Sequence, residues 1–80
     1  MADKKRFNVH VTRADTPDRV EKTHFVASTY NEYRREVNRR TGKDWMTYEV
    51  YYGSEVVEGS SVRIRDETFY RIFPDSRPKR

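Results

Sequence analysis

The chain has 80 residues, enough for one domain and near the lower limit for a core built without covalent staples. It contains no cysteine, which excludes a disulfide framework and thiolate metal sites, and no apolar run approaches the length of a membrane span. The formal charge is only +4, from 17 Lys and Arg against 13 acidic residues, and much of the excess lies at the ends, in Lys4, Lys5, Arg6, Arg77, Lys79 and Arg80; a body this close to neutral does not demand a nucleic-acid partner.

Leucine is absent, and Val, Tyr and Phe supply most of the apolar set. Such side chains fit a pleated sheet better than a helix face, so a sheet-dominated fold is expected. Charged residues (38%) outnumber hydrophobic ones (34%), but the aromatic content and the alternating patterns below argue against disorder. Residues 1–6 lack the apolar stretch of a signal peptide, so the expected location is the cytoplasm.

In chain order, Phe7, Val9 and Val11 alternate with Asn8, His10 and Thr12, the pattern of a half-buried strand. Ala14-Asp15-Thr16-Pro17-Asp18 has turn chemistry, and residues 20–27 return as a second strand of a hairpin. Its alternation is imperfect, which suits a bulge or an edge position. Thr29 and Glu32 form a capping box, Gly42 can close the helix, and Tyr30, Tyr33, Val37 and Thr41 fall on one face with Glu32, Arg35, Glu36 and Arg39 opposite. Glu36 precedes Arg40 by one helical turn, the favourable order for an ion pair.

Residues 45–52 read as a strand with Met46, Tyr48, Val50 and Tyr52 on one face and Trp45, Thr47, Glu49 and Tyr51 on the other. Gly53-Ser54 breaks it, residues 55–61 form a short extended piece or loop, and Gly59-Ser60-Ser61 is a second break. Val62 and Ile64 alternate with Arg63 and Arg65. Asp66-Glu67 is a tight connection into a closing strand at 68–73, which Pro74 ends. The expected fold is a single two-layer α+β domain over residues 6–74, a mostly antiparallel sheet of four to five strands packed on one helix in the order β-β-α-β-(β)-β, with flexible basic tails at 1–5 and 75–80.

This order, and the passage through Ala27-Ser28-Thr29 within residues 24–37, resembles the β-grasp, or ubiquitin-like, superfold. It is also similar to the small sheet-and-helix proteins by which phages inhibit host machinery, anti-CRISPR proteins among them. The first resemblance implies an adaptor domain; the second implies a non-catalytic inhibitor that occludes a surface of a host protein, in the host cytoplasm.

No catalytic framing appears. The serines at 28, 54, 60, 61 and 76 lie near turns or caps without a nucleophile elbow, and Gly42, Gly53 and Gly59 are isolated. His10 and His24 could lie diagonally on one sheet face, with Glu21 or Glu49 near, but two imidazoles do not make a zinc site. No catalytic residue, cofactor or metal is therefore assigned. The expected function is protein binding, with Trp45 and Tyr51 as an exposed aromatic stripe and Arg35, Arg39, Arg63 and Arg65 complementing an acidic or nucleic-acid-binding surface on the partner. A homodimer is compatible with such a patch. The alternative is a small RNA- or single-stranded-DNA-binding protein using Arg63, Arg65, Arg71 and Tyr70 on a basic and aromatic sheet face; Phe69-Tyr70-Arg71-Ile72-Phe73 loosely resembles a strand of the RNA-recognition sheets.

Overall fold

Phe7, Val9 and Val11 are buried while the residues between them are not, so β1 (Lys5–Arg13) carries the alternation its sequence shows. The computed structural model describes residues 4–74. The remaining elements are β2 (Thr16–Ala27), α1 (Tyr30–Thr41), β3 (Trp45–Tyr52), β4 (Glu55–Gly59) and α2 (Asp66–Ile72). The sheet is four-stranded and antiparallel throughout, in the order β2-β1-β3-β4. The α+β class and the antiparallel sheet follow the sequence; the single helix does not, because a second one closes the described chain. The expected tails fall largely outside the described residues, and Lys5 already belongs to β1, paired with Ala27.

α1 forms as its signals require. Thr29 accepts from the Glu32 amide at 3.2 Å while the Glu32 carboxylate accepts from the Thr29 amide at 3.1 Å, satisfying two N-terminal donors reciprocally. Gly42, at φ 67°, ends the helix. Tyr33, Val37 and Thr41 are the buried residues of its inner face. Glu36 pairs with both Arg39 and Arg40 on the outer side.

The strand expected at 68–73 is helix α2. A strand would place Arg71 on the same face as Phe69 and Phe73, burying a guanidinium between two rings. A helix instead brings Phe69, Ile72 and Phe73 together by i, i+3, i+4 spacing and leaves Arg71 outside, where it pairs with Glu55 at 2.7 Å. Asp66 and Glu67 in its first turn complement the helix dipole. Val62 makes only an isolated bridge with Gly59, so the expected Val62/Ile64 strand is absent as well.

Phe7 is the hub of the core. Its ring lies 5.2 Å from Phe25, 5.0 Å from Tyr33, 5.3 Å from Tyr52 and 5.8 Å from Phe73, so β2, α1, β3 and the end of α2 all meet on one side of the sheet. The other side carries Asn8, His10, Thr12, Lys22, His24, Val26, Thr47, Glu49 and Tyr51, none of them buried. β2 is an edge, blunted at two places. Residues 17–20 bulge opposite Thr12 alone, and Arg40 donates to the outward His24 carbonyl at 3.2 Å.

Two further bulges decide where side chains point. In the β1–β3 pair, Thr12 faces Thr47 but Arg13 faces Trp45, so Met46 is an extra residue. In the β3–β4 pair, Val50 faces Glu58 but Tyr51 faces Val56, so Val57 is extra. Each insertion reverses the facing of the residues beyond it. Among the described residues no helix is long and apolar enough to cross a membrane.

Candidate functional site

The bulge at Met46 turns Trp45 off the face it would share with Tyr51 and sets its ring against Tyr48, 4.9 Å away and nearly perpendicular. The bulge at Val57 turns Glu58 opposite Val50, under α1, instead of outward beside Glu49. Both displaced side chains reach the same place. This is a cleft of about 540 Å³ lined by Tyr30 and Arg34 of α1, Trp45 and Tyr48 of β3, Glu58 and Gly59 at the end of β4, and the connection through Ser60, Ser61, Val62, Arg63 and Ile64. Gly59 is required where the connection leaves β4, because a Cβ there would lie 2.7 Å from the Tyr48 carbonyl oxygen. That carbonyl accepts from the Ser60 amide at 2.9 Å, which holds the loop against β3.

Glu58 forms the floor and is only 5% exposed. Its Oε1 accepts from the Tyr33 hydroxyl at 2.6 Å and from Arg34 Nη2; its Oε2 accepts from the Tyr48 hydroxyl at 2.8 Å and from Arg34 Nη1 at 3.3 Å. A carboxylate offers about four lone-pair positions, so Glu58 is saturated and cannot serve as a free base. Arg34 also lies over the Tyr30 and Tyr33 rings, with its carbon 5.8 and 5.4 Å from their centroids. Burial, followed by donation to the Glu58 carboxylate and its charge, pushes the Tyr33 hydroxyl far above its ordinary pKa; the same causes push Tyr48 up to about 12. Both tyrosines are therefore neutral hydrogen-bond donors throughout the physiological range.

The structure separates the residues expected to act together. Trp45 and Arg63 share the cleft, and Arg63 and Arg65 share a neighbouring groove with Glu55, Val56, Val57, Val62 and Thr68. Tyr51 lies on the opposite sheet face, its ring 4.8 Å from His10 and its hydroxyl 3.2 Å from Glu49, so the Trp45–Tyr51 stripe does not exist. Arg35 and Arg39 are on the exposed side of α1 and do not line the cleft; Arg39 is paired with Glu36 at 2.8 Å. Arg71 and Tyr70 sit on α2, not on a sheet, with Tyr70 stacked on Phe69 at 5.0 Å. Among the described residues no three His, Asp or Glu side chains group as metal ligands.

Tyr30, Arg34, Tyr48 and Glu58 complete the site without having been singled out for it. Tyr30 and Tyr48 carry the periodicity of core positions, which they also partly fill. Glu58 follows Val56-Val57 in a segment too short to show its register. No family model, curated protein or solved structure matches the chain.

Proposed function

We propose that the protein is a non-catalytic protein-binding module whose anchor point is the cleft between α1, β3 and the 59–64 connection. The observation that carries this reading is the re-aiming of Trp45 by the Met46 bulge. A tryptophan that remains 37% exposed against Tyr48, in a cleft also lined by Tyr30, Val62 and Arg63, assembles the residue types that dominate binding hot spots. Val62, 45% exposed, adds apolar surface to the cleft lining. A folded chain exposes such a cluster at the expense of its own core, and an interaction site explains the cost. The resemblance to phage-encoded inhibitors gives the reading its most concrete form, occlusion of a host protein surface by this cleft and its arginine rim.

Affinity capture from the source cells tests it, with wild type, Trp45→Ala, Arg63→Glu and Tyr51→Ala compared after circular dichroism has shown all four folded. A protein retained by wild type and Tyr51→Ala but lost by Trp45→Ala and Arg63→Glu is the expected result. Retention of the partner by Trp45→Ala, or equal loss with Tyr51→Ala, would place binding elsewhere.

A further inference from the structure

We infer that the segment this cleft receives is acidic: an apolar side chain of a partner protein enters between Tyr30, Trp45 and Tyr48 while flanking carboxylates meet Arg63 and Arg65. The inference rests on the protein-binding reading and specifies the partner's chemistry. It follows from an inventory of what the cleft has left to offer. Every lone-pair position of Glu58, the one carboxylate among the described lining residues, is taken by Tyr33, Tyr48 and Arg34. The two tyrosine hydroxyl protons point at Glu58 and are also spent. What remains in the lining includes the donors of Arg63, the Trp45 indole N–H and Arg34, whose side chain is about one-third exposed, beside the Tyr30, Ser60 and Ser61 hydroxyls, which can donate as well as accept.

Charge points the same way. Arg34 is neutralised by Glu58, but Arg63 and Arg65 are exposed and make no ion pair or side-chain hydrogen bond among the described residues. Glu55, the acidic residue of the neighbouring groove, is held by Arg71 at 2.7 Å. Val62 and Arg63 form a wall common to the cleft and that groove, so a segment leaving the aromatic pocket passes Arg63 on its way to Arg65. Two guanidiniums that make no ion pair among the described residues, beside an apolar pocket, suit one or two carboxylates. They are too few for a phosphodiester track, whose charge recurs at every nucleotide. A basic partner would leave the donors unmatched and meet like charge.

Trp45 is the only tryptophan, so its emission reports the cleft directly. The probes are a short capped peptide with a central Phe flanked by Asp and Glu, the same peptide flanked by Lys, and a short oligothymidylate, each titrated into the full chain. Two rim pairs of the strength usual for exposed ion pairs predict binding of the acidic peptide about tenfold tighter than the basic one at low salt, narrowing as salt rises. Arg63→Glu should cancel or reverse that preference, and Arg65→Ala should reduce it. Equal quenching by both peptides, or tighter binding of the basic one, overturns the inference while leaving the cleft as a protein-binding site. Tighter binding of oligothymidylate overturns it in favour of a nucleic acid. No response of Trp45 to any probe overturns it too, and if Trp45→Ala then also retains the captured partner, the reading beneath it falls as well.

Discussion

Replacing Glu58 with alanine should cost the domain a large share of its stability. The carboxylate is nearly inaccessible, and three side chains are oriented by it. Its removal strands the hydroxyl of Tyr33, a fully buried residue, at about 1–3 kcal/mol for a buried donor without a partner. It also leaves Arg34 uncompensated, for which a fully buried pair would lose about 3–5 kcal/mol. Arg34 is one-third exposed, so water recovers part of that loss, and the total falls near 3 kcal/mol. A chain of 80 residues has roughly 4–12 kcal/mol in all. Thermal and urea denaturation followed by circular dichroism should therefore show Tm lower by about 12–24 °C with the m-value unchanged. Glu58→Leu combined with Arg34→Met should recover most of the loss, because no charge is then left unpaired. A loss below about 1 kcal/mol for Glu58→Ala would mean that water already solvates the carboxylate, and the picture of a saturated cleft floor would be wrong.

Arg13→Ala should lower the urea midpoint, since Arg13 donates to the Thr41 and Arg40 carbonyls at the end of α1, at 2.8 and 3.0 Å, and also pairs with Asp44 and Glu21; an unchanged midpoint would mean that water replaces these bonds without loss. Gly59→Ala should lower Tm and alter Trp45 emission together, because the new methyl meets the Tyr48 carbonyl; a change in Tm with emission untouched would uncouple the 59–64 connection from the cleft. Stability should fall as pH rises above 10. Tyr33 and Tyr48 keep their protons in the fold while the unfolded chain releases them near the ordinary tyrosine value, so their contribution is complete below pH 10 and for Tyr48 is lost toward about 12. Phenolate absorbance measured alongside unfolding should show these two ionising only as the fold is lost, and Tyr33→Phe with Tyr48→Phe should flatten the dependence.

The parts of the fold that the sequence announces are those where local signals agree. Thr29, Glu32 and Gly42 mark both ends of α1, and the Tyr33–Val37–Thr41 spacing marks its buried face. β1 is equally plain because it is central and covered on one side only. α2 was obscured by β-favouring residues, Thr68, Phe69, Tyr70 and Ile72, although the acidic pair before them and the 69/72/73 spacing both fit a helix. The site was hidden for a different reason. A bulge needs no special residue, and neither Met46 nor Val57 differs from an ordinary strand position, yet each reverses the alternation beyond it. Strict period-two reading thus puts Trp45 with Tyr51 and gives Glu58 no inward role. Tertiary pairing, not local propensity, brings both into the cleft that Arg34 lines.

The central claim is that these bulges carry Trp45 and Glu58 to the helix-covered side of the sheet, and the most direct test is a nuclear Overhauser spectrum of the intact chain. Cross-peaks from the Trp45 indole to the Tyr48 ring, with none to Tyr51 or His10, are the predicted result. Indole contacts to Tyr51 would restore the unbroken alternation and contradict the account.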